Sequence, residues 1–356
     1  MMNEKLTAFN AKRKRDSYIT YGLVILFYIV IEVLLKTGNL SSHMKGLLVP
    51  LTYYAVIAVG LNLCVGILGE LSIGHCGFMC IGAFTSALFS RIMEEKLPTA
   101  PRFFLAFLIG IALSALFGFL IGIPVLRLNG DYLAIVTLAF GEIIKNVINA
   151  VYLGIDENGF HVSMKNAMDL GLSENGDVII NGAMGITGTP HDANFTIAII
   201  VLLLSLVVVL NLINSRDGRA IMAVRDNSIA AESCGIPVTR YKMMAFTISA
   251  AIAGAAGVLF SHNITSLTAS SQYFGYNASI MILVYVVLGG IGNIRGSVIA
   301  AIILYLLPEL LRGLNTYRML IYSIVLIVMM IVNWAPKVIE WRKKQLSRFK
   351  NRKEAA

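Results

Sequence analysis

Ten apolar blocks, nine of them roughly 18–24 residues long and one of about 15, decide what this chain can become. At 1.5 Å of rise per residue, a block of that longer kind is a helix able to cross the hydrocarbon core of a bilayer. They fall at about 18–36, 47–68, 71–91, 103–126, 132–152, 194–214, 242–262, 278–292, 296–313 and 318–335. The remaining composition agrees. Hydrophobic residues make up 57% of the 356 and charged residues only 14%, against about 25% charged in a soluble domain. The sequence therefore predicts an all-α integral membrane protein of about ten transmembrane helices. The third block is rich in Gly, His and Cys and the eighth is short, so either could be broken or re-entrant, an arrangement tolerated only where protein surrounds it.

Charge orients the spans. The net charge is +9, and its placement excludes a nucleic-acid binder, which would gather basic residues on a soluble face. Instead they crowd the two ends and one inner loop. With both tails in the cytosol, the N-terminal tail (residues 1–17) and the C-terminal tail (337–356) are basic. The inner loops add Arg127, Arg216, Arg219, Arg225, Arg240, Lys242 and Arg295, so about twenty of the 29 basic residues lie inside. Residues 18–336 then form the transmembrane domain, with an external loop at 153–192 and a cytosolic loop at 215–241. The first block follows a basic run but is too long for a signal-peptide core and has no A-x-A site after it, so it reads as a retained span.

The four cysteines lack zinc-finger spacing. Cys76 and Cys80 lie one helical turn apart beside His75, but small cysteines are common in buried helices and no metal is expected. No nucleophile–base constellation stands out. Nor does a G-x-x-x-x-G-K-[ST] string, or any Gly-Lys pair, so the chain has no phosphate-cradling P-loop.

Two places stand out chemically. In the cytosolic loop, Asp217-Gly218 reads as a turn within Ser215–Arg219. Residues 228–234 then read as a short helix, with Ser228 as its cap and Gly235 and Pro237 as its end. Ala230 and Ala231 give it a small smooth face. Such a loop either merely connects two spans or carries a contact surface. Glu142 sits near the middle of the fifth block, where a charge costs about 2.5–3.5 kcal/mol on insertion scales. Lys145, three residues on, can share its helix face. The pair is either a structural ion pair or part of a polar lining. Ser72 and His75 add polar groups to the third block, among Gly69, Gly74, Gly77 and Gly82, which allow close helix crossings.

The string "IAAESCGI" (229–236) resembles the ATPase-coupling helix of ABC importer permeases, with Glu232 placed after the alanines rather than before them. Four further stretches occur in family order: "GELSIGHCGFMCIGAFTSALF" from Gly69, "LRLNGDYLAIVTLAFGEIIKNV" from Leu126, "NGAMGITGTP" from Asn181 and "VVLGGIGNIRGSVIAA" from Val286. Together they are similar to the branched-chain amino-acid ABC transporter permeases of the LivM type. The resemblance implies a bacterial or archaeal cytoplasmic-membrane permease subunit, not an enzyme. It implies no cofactor of its own, with ATP hydrolysed by two partner ABC ATPase subunits. A sister permease, an external solute-binding protein and the lipid bilayer complete its partners. Ser228, Ala230, Ala231, Glu232 and Gly235 would meet the ATPase. Ser72, His75 and Glu142 would belong to the translocation path of Leu, Ile or Val.

Rival readings are a permease for a sugar or another amino acid, an ion-coupled secondary transporter and a membrane-embedded enzyme. The second needs intramembrane carboxylates placed for ion coupling, and Glu142 is the one strong candidate. The third needs a nucleophile or metal set that the sequence does not display.

Overall fold

The computed structural model describes residues 2–38, 41–94, 96–128, 130–156, 159–173 and 176–334. The expected C-terminal tail at 337–356 and the side chains of the N-terminal tail lie outside the described residues. The chain divides into two compact units, 1–301 and 302–356.

The helices of the first unit follow the hydropathy blocks closely. They are α1 (Met2–Lys36), α2 (Ser42–Asn62), α3 (His75–Ile92), α4 (Thr99–Val125), α5 (Asp131–Ala150), α6 (Phe195–Asn214), α7 (Arg216–Asp226), α8 (Ser228–Ser233) and α9 (Val238–Ser261). Then come α10 (Ser271–Phe274), α11 (Tyr276–Gly289) and the start of α12 (Ile294–Leu310). Beyond residue 301 lie the rest of α12, a 3-10 turn (Leu311–Tyr317) and α13 (Arg318–Trp334). Among the described residues, eight helical segments are long and apolar enough to cross a membrane. Each coincides with an expected span. The other two expected spans are also helices: α3, which carries His75, Thr85 and several serines, and α13, whose apolar run is short.

Helix α9 is the axis of the first unit, with α2, α3 and α4 packed on it. Small residues explain why. Along α4, Ala106, Gly110, Ser114, Gly118 and Gly122 recur every fourth position and are all buried, whereas Phe104, Leu108, Leu116, Phe119 and Leu120 on the other faces are exposed. Without a hydrophobic driving force between helices in lipid, close backbone approach supplies the packing. Gly82 of α3 crosses Gly254 of α9 so tightly that a Cβ on Gly82 would collide with the Gly254 carbonyl. Helix α2 is apolar all round and 94% of its most apolar stretch, which runs on to Leu68, is buried, against 11% for α1. So α2 is core, and α1 presents its apolar surface outward as a lipid-facing helix does.

The chain is irregular just before each of the two suspected spans. Helix α2 runs into a π-helical segment (Leu63–Leu68), turns at Gly69 (φ 84°) and stays non-helical until His75. The break therefore precedes the third span instead of interrupting it. Likewise the break at Gly275, between α10 and α11, lies just ahead of the expected eighth span.

The two hydrophilic segments are more ordered than their sequences suggest. The one at 153–192 holds strands β1 (Tyr152–Asp156), β2 (Gly159–Ser163) and β3 (Asp177–Asn181) in an antiparallel sheet of order β2-β1-β3. Strand β4 (Ile186–Thr187) pairs with β5 (Ser266–Leu267). In the other segment, the turn expected at Ser215–Arg219 is instead the first turn of α7. Ser215 caps it by accepting from the Gly218 N–H at 3.1 Å. Gly218 is not a breaker there: a Cβ would strike the Leu212 carbonyl, so glycine lets α7 fold back against the end of α6.

Candidate functional site

Helix α8 is built from both ends by local side-chain and backbone chemistry. Its cap is Asn227, whose Oδ1 accepts from the Ala230 N–H at 3.0 Å, and not Ser228 as expected, which is the first helical residue. Its C-terminus is a Schellman turn. The Gly235 N–H reaches Glu232 O at 2.9 Å and the Ile236 N–H reaches Ala231 O at 3.0 Å. Gly235 stands at φ 79° with open space around it, so glycine is required there by backbone conformation and not by room. Ser228, Ala230 and Glu232 are exposed, while Ala231 is 6% exposed and faces inward. The two alanines therefore do not share one outer face. The apolar group offered outward is Ile229, 77% exposed, which sequence reasoning passed over.

A joint lies next to this helix. Arg225, in the last turn of α7, donates from Nη1 to the Gly66 carbonyl at 3.0 Å, inside the π-helical segment. Its aliphatic stem covers Gly69, where any Cβ would overlap it. From α9, Lys242 forms an ion pair with Glu70 just past the same turn. On the other side, Asn62 accepts from the Gly292 N–H at 2.8 Å and donates to Ser297 Oγ at 2.6 Å. It thereby holds the tight turn between α11 and α12, where Gly289 and Gly296 meet backbone to backbone. A cavity of about 420 Å³ opens beside the joint, lined by Glu70, Asp131, Arg225, Asp226 and Lys242 among others.

Ser72 and His75 enter a second, dry knot. Ser249 Oγ donates to the Gly60 carbonyl at 2.6 Å, so it accepts from His75 Nε2–H, also at 2.6 Å. His75 Nδ1 then accepts from Ser72 Oγ at 3.1 Å. The imidazole is a neutral bridge between α2, α3 and α9, and Ser72, His75 and Ser249 are each at most 1% exposed. Neighbouring backbone is tied down as well: the Ile73 N–H reaches Thr137 Oγ1 at 3.1 Å and the Cys76 N–H reaches Ser279 Oγ at 3.4 Å.

Glu142 and Lys145 do meet. Lys145 pairs with Glu142 and also donates to Ser271 Oγ at 2.9 Å. The second Glu142 oxygen accepts from the Tyr276 N–H at 2.8 Å. The carboxylate thus sits at the N-terminus of α11, where the helix dipole favours a negative charge, and the break at Gly275 exposes the amide that it holds.

Sequence reasoning missed a third cluster at the opposite end of the bundle. Arg102 and Asp192, with side chains 7% and 9% exposed, form a salt bridge at 2.9 Å. Next to them His262, fully buried just past α9, shares a 2.8 Å hydrogen bond with Ser90 and stacks edge-on against Phe103.

Residues 44–332 match the family described as "Branched-chain amino acid transport system / permease component", which takes in the joint, both knots and α8. The chain belongs to this family. It is 38% identical over 294 residues to the high-affinity branched-chain amino acid transport system permease protein LivM of Salmonella typhimurium, covering 80% of this chain and 67% of the relative. The corresponding LivH of Escherichia coli is 26% identical over 255 residues, 70% of this chain and 79% of the relative. The fructose import permease protein FruG of Bifidobacterium longum is 22% identical over 349 residues, 94% of this chain and 95% of the relative. The chain is thus a multi-pass membrane permease with a transport role and not an enzymatic one. The glycines at 66, 69, 289 and 292 that shape the joint beside α8 all lie within the matched region.

Proposed function

We propose that this permease is one of two related membrane subunits of an ATP-driven importer for leucine, isoleucine and valine, and that α8 is its docking helix for an ABC ATPase. One observation carries the reading: a capped, six-residue helix offers Ile229 and Glu232 to the aqueous side, while Arg225 beside it grips the backbone of the broken second span. The similarity to LivM supports the substrate class. Two ATPase subunits, a sister permease and an external solute-binding protein complete the assembly. ATP is hydrolysed in the ATPases, and the chain itself carries no cofactor. The distribution of Lys and Arg supports a cytosolic position for both termini and for 215–241, with 153–192 outside.

Movement then has a physical route. Closure of the ATPases draws α8 and α7 together with those of the sister permease. Arg225 transmits that pull to the Gly66 carbonyl, and Asn62 passes it to the turn at Gly289–Ser297. Access alternates as the two permeases rock. Ser72, His75 and Glu142 lie buried or paired in the present conformation and would border the path once the knots part. The secondary-transporter reading is weaker, because Glu142 is already committed to Lys145 and to the α11 backbone.

Ile229→Asp and Glu232→Arg test the docking role. Both residues are exposed, so normal amounts of each variant should reach the membrane. ATPase co-purification and leucine uptake should both fall, by about tenfold or more, if these positions are central to the contact. Wild-type ATPase recovery and uptake in both variants would remove α8 from the coupling role.

A further inference from the structure

Positive charge without a partner gathers where two spans leave the apolar zone. Arg216 opens α7, two residues after the long apolar helix α6, and Arg219 follows one turn on. Arg240 stands in the first turn of α9. All three are exposed, and none has a carboxylate partner among the described residues. Arg219 reaches only the neutral Asn214 carbonyl, at 3.4 Å. Their basic neighbours are already matched, Arg225 with Asp226 and Lys242 with Glu70. The remaining acids of this stretch, Asp217 and Glu232, line neither of the two cavities beside the arginines.

The first cavity, of about 540 Å³, is lined by Arg216, Arg219, Pro237 and Tyr241, among others, and by no acid among the described residues. The second, of about 720 Å³, shares Pro237 with it and is apolar: Met243, Met244 and Ile248 of α9 face Phe119 of α4, with Arg240 at the near end. Positions 240, 243, 244 and 248 recur at the spacing of one helix face. The groove therefore runs up α9 for about 12 Å, from arginine to isoleucine. Phe119 is 46% exposed, and Leu116 and Leu120 around it are 49% and 51% exposed. So the groove opens onto the apolar surface of a span, where a water-soluble partner does not reach. A basic cup at the membrane edge, continued by an apolar groove within the membrane, has the polarity of a phospholipid. Guanidinium groups match phosphate oxygens in pairs, basic pockets between transmembrane helices take anionic headgroups, and tyrosine suits the headgroup level. We infer that the two cavities form one site for an anionic phospholipid, with its phosphate between Arg216 and Arg219 and an acyl chain along α9 against Phe119. Bound there, the lipid ties the start of α7 to the start of α9, on either side of α8. The site needs only that α6 and α9 span the membrane and does not rest on the importer reading.

The test is native mass spectrometry of the full-length permease in detergent, purified with and without a co-expressed ABC ATPase. Each preparation is titrated with phosphatidylglycerol or with phosphatidylcholine of the same chains. Wild type should take up one phosphatidylglycerol in both preparations, with a preference of about tenfold or more over phosphatidylcholine. Arg216→Gln/Arg219→Gln should weaken phosphatidylglycerol binding by roughly thirtyfold and leave phosphatidylcholine binding unchanged. Arg216→Lys/Arg219→Lys should fall in between, and glycerophosphoglycerol, the same headgroup without chains, should not compete. Equal binding of the two lipids by wild type overturns the proposal, as does wild-type phosphatidylglycerol binding in the double glutamine variant. So does competition by the free headgroup at the lipid's own affinity, which would make this a pocket for soluble anions. So does loss of the bound lipid whenever the ATPase is present, which would make the arginines part of a protein contact.

Discussion

The two ends of the bundle are held together by different means. At the end that carries α8, proposed as the inner one, Arg225, Asn62 and the glycines at 66, 69, 289 and 292 join elements through backbone groups and near-contact packing, beside the Lys242–Glu70 ion pair. At the opposite end, proposed as the outer one, a buried Arg102–Asp192 pair and a buried His262 bind α4, α9 and the segment before α6 by charge and hydrogen bonding. A joint made of backbone approach has a small number of discrete fits and can step between them. A buried ion pair resists opening, because separating it strands a charge in low dielectric. Under the coupling role proposed for α8, the first end moves and the second holds.

Sidedness is the first place where this comparison can break, and the effect is all or none. Of the four cysteines only Cys234, just past α8, is exposed. A membrane-impermeant maleimide should leave it unmodified in intact cells and label it in inside-out vesicles. Met168→Cys, in a Cys234→Ser background, should show the reverse pattern. Labelling of Cys234 from intact cells would exchange the two ends.

Stability separates the ends next. Arg102→Met leaves Asp192 buried without its cation, a loss of about 3–5 kcal/mol. Thermal unfolding of the detergent-solubilised permease should show it, and Arg102→Met/Asp192→Leu should recover most of it. A single variant as stable as wild type would mean that the outer end is not held by charge. At the inner end, Gly66→Ala adds one methyl group that would meet the Asn62 side chain and the Gly292 backbone. Overpacking of that kind costs about 1–3 kcal/mol, a smaller shift in unfolding temperature than that of Arg102→Met. Its uptake should nevertheless be nearly abolished. Gly66→Ala transport at the wild-type rate would contradict the role of the inner joint.

The helices were legible because hydrocarbon imposes one rule on every span: enough apolar residues in a row. Helix α8 was legible because its C-terminal glycine is a local signal, and the Glu142–Lys145 pair because three residues is a helical spacing. The inner joint was not. Arg225 and Gly66 are 159 residues apart and Asn62 and Gly292 are 230 apart, and neither contact leaves a mark on its neighbours in sequence. Helix α7 was hidden by Asp217-Gly218, a dipeptide that turns chains in isolation but here fits a close contact with α6. The cap of α8 slipped by one residue because Asn227 and Ser228 are both good caps and only geometry chooses between them. The outer strands are two to five residues long in a polar, glycine-rich segment, too short for alternation to stand out. Arg102 gave no signal of burial, because the partner that draws it inside, Asp192, is 90 residues away.

The ratio of leucine imported to ATP hydrolysed, in proteoliposomes holding the complete complex, tests the coupling route most directly. Arg225→Met removes the hydrogen bond to the Gly66 carbonyl but keeps an aliphatic stem over Gly69 and leaves the exposed face of α8 intact. The account predicts that this complex assembles, hydrolyses ATP at a rate near that of wild type and imports little leucine, with Arg225→Lys in between. A leucine-to-ATP ratio in Arg225→Met equal to that of wild type would contradict the claim that ATPase movement reaches the membrane through this joint.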